Sequence, residues 1–368
     1  MRVALIHDHL AQDGGAEKVL RVLAEMFPEA PIFTMLYEPA MVDKYFKNRV
    51  IVTSIIQRMP FGVSHYKWFL PFMPMAVEFF DLTDYDLVIS NTSAFAKGVI
   101  TNTNTLHLCY CHTPTRYLWS DTHSYVKELK FNKYLKKIVA LSLNKIRIWD
   151  RVAADRPDYL IGNSRFIARR IRKYYRRPAE VLYPPVETDK FTISQTIGDY
   201  FLAGARLVPY KRFDLLVQTF KANGLKLKIF GEGSDDLRLK KMADGATNIE
   251  FLGRVSEEAK SKLYSEALAF LNPQEEDFGI TMVESLASGR PVIAYNSGGA
   301  QDIVANEQVG ILFDEQNPAS LNEALDKFKH RQFDPQVIKE YSEKFSVDRF
   351  KKEVHQLIEK KMKEFKSS

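Results

Sequence analysis

The sequence predicts an α/β protein built of two doubly wound units. Three observations carry that prediction. Short apolar, β-branched runs recur along the chain, each is followed by a polar or glycine turn and then by helical spacing, and the pattern stops once at paired prolines before starting again. Runs that are apolar on both faces mark parallel strands covered by helices on either side. At 368 residues the chain is long enough for two domains of ordinary size.

The elements follow in order. Residues 2–7 form an apolar run that leads through Gly14-Gly15 into the helical pattern of 16–27, the strand, glycine loop and helix of a Rossmann-like unit. Further buried strands are expected at 87–90, 106–111 and 159–162, and Ser164 is a suitable N-cap for the helix after the last of these. The segment Tyr183-Pro184-Pro185-Val186 breaks the alternation, and its prolines favour an extended linker. The domains are therefore placed at 1–183 and 184–345. Past the linker, strands are expected at 200–204, 227–231, 249–253, 267–273 and 291–295. Helical spacing returns at 321–328 and 348–365, and the lysine-rich terminal helix, 346–365, is expected to pack back on the first domain.

Composition narrows the class. With 45% hydrophobic and 27% charged residues, disorder of the whole chain is excluded. The two cysteines, Cys109 and Cys111, fall on one face of a strand and suit reduced core thiols in a cytoplasmic protein. No apolar run approaches the ~18 residues of a membrane span, and the first is too short for a signal peptide. The net charge of +6 is uneven: Lys127 to Arg177 holds 16 basic and 4 acidic side chains, so the remainder is net acidic.

Residues 272–299 carry the densest chemistry. A strand runs out at Asn272-Pro273, a polar loop follows, and a helix starts near Ile280, where Gly279, Ile280 and Thr281 offer unpaired N–H groups suited to a phosphate. Glu276 in the loop and Glu284 in the second turn of the helix flank that anion site. Two carboxylates that accept bonds from vicinal hydroxyls beside a phosphate site suit a nucleotide-sugar pocket. Alternatively, Glu276 is solvated and Glu284 complements the helix dipole. Arg206 and Lys211 follow the first strand of the second domain, where their cations suit a diphosphate. His7-Asp8-His9 invites a metal site, but alternation along a strand sets Asp8 opposite both histidines.

These motifs, together with Phe230-Gly231-Glu232-Gly233, Phe251-Leu252-Gly253-Arg254-Val255, Glu276-Asp277-Phe278-Gly279 and Ser297-Gly298-Gly299, resemble the retaining glycosyltransferases of family 4 over nearly the whole chain. The segment Tyr110-Cys111-His112-Thr113-Pro114 is similar to a branch that includes bacterial O-antigen mannosyltransferases. The resemblance implies the GT-B fold, two Rossmann-like domains facing a central cleft, and a hexosyltransferase with GDP-mannose as the favoured donor and no need of a cofactor or divalent ion. It implies that Glu284 binds the ribose, Glu276 the sugar hydroxyls, and Arg206 and Lys211 the diphosphate. Phe278, Gly279, Ile280 and Thr281 would line the donor, and Arg254 and Val255 would pack near the base. Gly14 and Gly15 would approach phosphate or acceptor closely. His112 would polarise the reacting centre. A donor carrying UDP remains open.

The acceptor is expected to be a lipid-linked or oligosaccharide chain. Residues 59–74, rich in aromatics and methionine, and the basic runs 127–137 and 145–151 suit docking on an anionic membrane, or else a core helix beside a solvated basic face. The local excess of positive charge also suits a non-catalytic module that binds nucleic acid or an anionic surface, although no nucleic-acid motif accompanies it.

Overall fold

The computed structural model describes residues 1–122 and 133–367; of the basic run 127–137, residues 127–132 and the side chains of 133–135 and 137 lie outside what is described. The chain divides into two compact units, 1–183 with 351–368, and 184–350. The helix Val347–Ser367 therefore ends within the first unit, where Lys351 pairs with Glu25 at 2.9 Å and Lys361 with Glu180 at 2.6 Å.

The first unit holds seven parallel strands: β1 (Val3–His7), β2 (Ile32–Thr34), β3 (Ile51–Thr53), β4 (Leu87–Thr92), β5 (Leu106–Cys111), β6 (Tyr159–Gly162) and β7 (Glu180–Val181), in the order β3-β2-β1-β4-β5-β6-β7. The second holds six: β8 (Tyr200–Gly204), β9 (Lys226–Phe230), β10 (Ile249–Gly253), β11 (Phe270–Asn272), β12 (Val292–Tyr295) and β13 (Gly310–Phe313), in the order β10-β9-β8-β11-β12-β13. Both are doubly wound, and strand order reverses at β1/β4 and at β8/β11. β4 and β5 are buried along their whole length, as strands covered on both faces must be. Cys109 and Cys111 lie in that buried layer as free thiols.

Four strands were not foreseen: β2, β3, β7 and β13. Their two to four residues are too few to establish a period, and three of them are edge strands while β2 lies next to an edge. The strand expected over 267–273 shrinks to β11. Ala267 instead closes the preceding helix by donating to the Tyr264 carbonyl, and Pro273 has no N–H to extend the ladder.

The first unit is tied together by a buried acid. Asp150, on the helix Lys133–Ala153, accepts from Lys97 Nζ at 2.5 Å, Thr115 Oγ1 at 2.8 Å, Trp119 Nε1 at 2.7 Å and Tyr175 O–H at 2.9 Å. Three segments distant in sequence from this helix thus share its one carboxylate, and both charges of the Lys97–Asp150 pair are buried. Removing one partner strands the other charge. Asp150→Ala is expected to cost about 3–5 kcal/mol of stability; a urea midpoint equal to that of the parent chain would refute the hub.

Candidate functional site

In the second unit the expected residues other than Arg254 and Val255, which follow the edge strand β10, come from the loops and helix that follow β8 and β11, where the strand order reverses and open α/β sheets bind ligands. Arg206 and Lys211 leave β8, and Glu276 leaves β11, its immediate neighbour. The Lys211 ammonium forms an ion pair with Glu276 Oε1, which also accepts from Gln274 Nε2 at 2.8 Å. This alters the expectation of two independent cations: Lys211 bridges the two loops, while Arg206 stays exposed, reaching the Tyr210 hydroxyl at 3.4 Å.

Backbone contacts fix the Glu276 loop from its other side. Glu276 bridges Gly298, and its carbonyl accepts from Gly299 N–H at 2.8 Å. A Cβ on Gly298, whose φ is +67°, would stand 2.2 Å from that carbonyl, so the Ser297-Gly298-Gly299 motif is a requirement of close approach. Gly279 then caps the helix Ile280–Ala287 with φ +109°, and no acidic side chain occupies the first turn of that helix. Phe278 is buried, whereas Ile280 and Thr281 are half-buried at the helix start.

Glu284 is buried on this helix, and both its oxygens are already held. Oε1 accepts from Lys260 Nζ and Oε2 from the Tyr264 hydroxyl, each at 3.2 Å. Sequence reasoning missed Lys260 and Tyr264. They lie four apart on the helix Glu257–Glu266, hence on one face, but their partner is chosen by packing. Arg254 is 85% exposed and is drawn to Glu232 at 3.6 Å, and Val255 beside it is half-buried.

The first unit carries a second polar cluster, also at its reversal of strand order. Asp8, just past β1, accepts from the backbone N–H groups of Ser93 (2.6 Å), Ala94 (2.9 Å), Phe95 (2.8 Å) and Ala96 (2.7 Å), past β4. Its carboxylate is thereby committed, and burial is outweighed by the charge of His7 and these bonds, so its pKa is lowered. Among the described residues no group of three or more His, Cys, Asp or Glu is arranged to hold a metal.

Beside it, His7 Nδ1 faces the Asn91 carbonyl at 3.0 Å and Nε2 faces Glu17 Oε1 at 3.4 Å, while Glu17 Oε2 accepts from Gly14 N–H at 2.9 Å. Burial opposes both charges, but their mutual attraction prevails: Glu17 is held down at about 2 and His7 is raised. Gly14 caps the helix Gly15–Met26, so this pair anchors the glycine loop.

His112 follows β5 and bonds through Nε2 to Asn91 Oδ1 at 2.6 Å. The Asn91 amide nitrogen donates to the Ala16 carbonyl at 2.9 Å, which fixes the amide orientation. Nε2 of His112 therefore carries the proton, leaving Nδ1 as an acceptor. Burial and the neighbouring His7 charge push its pKa down to about 4. Asn91, also missed, sits at the polar end of a strand that begins Leu87-Val88-Ile89.

Two outcomes are expected. In an NMR titration His112 stays neutral until the pH falls to about 4; an imidazolium signal near pH 6.5 would contradict its burial. The His7–Glu17 pair stabilises fully between the ordinary values of 4.5 and 6.5, and less as pH falls toward 2 or rises through the elevated His7 value. The stability deficit of Glu17→Gln, followed by urea unfolding, should therefore shrink on both sides of that window; a deficit independent of pH would reject the pair.

Comparison with known proteins places this geometry. Residues 13–190 match the model for Glycosyltransferase Family 4, and residues 189–345 match that for Glycosyl transferases group 1. An uncharacterised glycosyltransferase of Methanocaldococcus jannaschii is 28% identical over 215 residues, 56% of this chain and 60% of that protein. The alpha-1,3/1,6-mannosyltransferase ALG2 of Mus musculus is 26% identical over 332 residues, covering 78% of this chain and 77% of its own. A GDP-mannose-dependent alpha-mannosyltransferase of Mycolicibacterium smegmatis is 36% identical over 110 residues, 30% of this chain and 28% of that one. Among solved structures, Anabaena HepE in complex with UDP superposes with a TM-score of 0.69 at 14% identity, covering 98% of this chain and 100% of that one. Sucrose-phosphate synthase of Thermosynechococcus elongatus gives 0.71 at 16%, covering 100% of both chains. With its two parallel sheets and two family matches that together run from residue 13 to 345, the chain belongs to glycosyltransferase family 4 and has the GT-B fold.

Proposed function

We propose that the chain transfers mannose from GDP-mannose to a lipid-linked saccharide acceptor, with retention at the transferred carbon and without a divalent ion. The observation that carries the reading is the pairing of Lys211 with Glu276 at the β8/β11 reversal, ahead of a helix start that has no acid of its own. A cation, an acid and free N–H donors gathered there suit a sugar bound through a diphosphate. Two of the relatives named above are mannosyltransferases, one of them dependent on GDP-mannose, and this supports the choice of donor. A UDP-sugar is the second reading, favoured by the structural likeness to HepE, which was solved with UDP.

In this reading Arg206 and Lys211 hold the diphosphate, with the N–H groups of Gly279, Ile280 and Thr281. Glu284, paired with Lys260, accepts from the ribose hydroxyls, and Glu276 accepts from hydroxyls of the sugar. The bond from the sugar carbon to the phosphate oxygen breaks first, and its electrons leave with the nucleoside diphosphate. The acceptor oxygen then attacks from the same face, and its proton passes to the departing phosphate. Positioning and neutralisation of phosphate charge supply the rate. His112, neutral with Nδ1 open, is assigned the family role of polarising the reacting centre by accepting a hydroxyl proton in a hydrogen bond. The acceptor puts the work at the inner face of the cytoplasmic membrane, with the protein held peripherally; nucleic acid is not among the proposed partners. Among the described residues no helix is long and apolar enough to cross a membrane.

A thermal-shift panel of GDP, GDP-mannose, UDP and UDP-glucose, with and without magnesium, tests the donor. Selective stabilisation by GDP and GDP-mannose, unchanged by magnesium, is expected; stabilisation by UDP ligands alone would transfer the assignment to the second reading. Glu284→Ala is expected to raise the donor Kd by about 10–100-fold, the cost of leaving hydroxyls and Lys260 without their acceptor, and Arg206→Ala to lower kcat by about 100-fold. Parent-like values in both would refute the site.

A further inference from the structure

One surface of the first unit is built unlike the rest. Residues 55–79 fold as two short 3-10 segments, Ile55–Arg58 and Tyr66–Phe72, and the helix Met73–Glu78. One side of this segment packs inward through Ile56, Met73, Ala76 and Val77. The other side exposes Phe61 (64%), Trp68 (62%) and Phe79 (71%), with Phe72 and Met75 also exposed. Positions 72, 75 and 79 recur at helical spacing, so they share a face.

The exposed rings are held in place. His65 lies 4.4 Å from Trp68 and 5.8 Å from Phe61, centroid to centroid, forming a preassembled aromatic cluster. Phe61 has φ +62°, a conformation that a bulky residue adopts only under constraint. A Cβ on the following Gly62 would come within 1.9 Å of the Ile56 carbonyl, so the turn is packed tightly beneath the ring it presents.

Within residues 55–79 the charge left outward has one sign, and the first acid beyond them, Asp81, accepts from Thr83 N–H at 3.1 Å and its hydroxyl at 2.6 Å. The segment carries Arg58 and Lys67, and its single acid, Glu78, is taken up by Trp149 Nε1 at 2.7 Å and Arg156 Nη2 at 2.5 Å. Those bonds join it to the helix Lys133–Ala153 and its continuation, where Leu141, Ile148 and Val152 are exposed at helical spacing with exposed Lys145 between them. Beneath the segment, Tyr66, Lys67, Leu70 and Met73 line a cavity of about 330 Å³ that also receives His9 and Arg116. Contiguous exposed aromatics with cations and no unpaired acid suit the boundary of an anionic bilayer, where rings enter the headgroup layer and cations meet lipid phosphate.

We propose that residues 58–79 dock the first unit on an anionic lipid bilayer, through Phe61, Trp68, Phe72, Met75 and Phe79, with Arg58 and Lys67 on the headgroups. The assignment deepens the lipid-linked acceptor of the proposed function and rests on it. The test is sedimentation with vesicles of phosphatidylglycerol and phosphatidylcholine in equal parts, against vesicles of phosphatidylcholine alone. The full chain is expected to bind the mixed vesicles, to release on added salt, and to lose at least about tenfold in partition in the combined Phe61→Ser, Trp68→Ser, Phe72→Ser variant. The thermal shift with nucleotide should be the same in that variant and the parent, which separates failure of docking from failure of the donor reading. As a check that needs no disruptive variant, brominated lipid should quench Trp68, and Trp68→Phe should abolish the quenching. Absence of binding to mixed vesicles, binding indifferent to headgroup charge, a variant that binds like the parent, or quenching that survives Trp68→Phe would each overturn the proposal.

Discussion

Each sheet reverses its strand order once, and each reversal is bridged by a single carboxylate. In the first unit Asp8 reaches from the end of β1 to four consecutive N–H groups past β4. In the second, Glu276 past β11 receives Lys211 from the loop past β8. Helices leave in opposite directions at such a point, so the loops diverge and a crevice opens at the carboxyl edge. In both units a charged bond spans the gap. The two bridges differ in kind: Asp8 is bonded to backbone and is structural, whereas Lys211 and Glu276 are side chains that a ligand is able to engage.

Around each bridge the polar groups are placed by packing that leaves little freedom. Gly298 and Gly299 press against the Glu276 loop closely enough to exclude a side chain. Glu284 is buried between Lys260 and Tyr264, so its carboxylate is oriented before any ligand arrives. In the first unit Asn91 takes its orientation from Ala16 and passes it to His112, fixing which imidazole nitrogen carries the proton. Prior orientation of this sort lowers the cost of ordering a site when it binds.

Charge is treated differently at the surface of the first unit. Inside, the cation of Lys97 meets Asp150, and His7 meets Glu17. On the face built from residues 58–79, the acid is consumed internally and Arg58 and Lys67 are left outward beside exposed rings. Exposed rings gathered in this way are uncommon on a monomeric soluble chain, where exposed aromatics are scattered and charges of both signs intermingle.

The sequence by itself determined the class of fold, the Pro184-Pro185 break, the glycine loop and the acid-bearing segment from Glu276 to Glu284, because these depend on local period, backbone conformation and spacing along the chain. Short strands such as β7 and β13 escaped it, since two to four residues make no period. Tertiary structure alone decided which charge meets which. Lys211 lies 65 residues from Glu276, Lys260 24 from Glu284, and Asn91 84 from His7. Those meetings depend on the order in which strands are laid side by side, and no local rule carries that order. Hence the chemistry-bearing residues were legible as types at positions, whereas Lys211 as a bridge, Glu284 as a held carboxylate and His112 as a neutral acceptor follow from the fold.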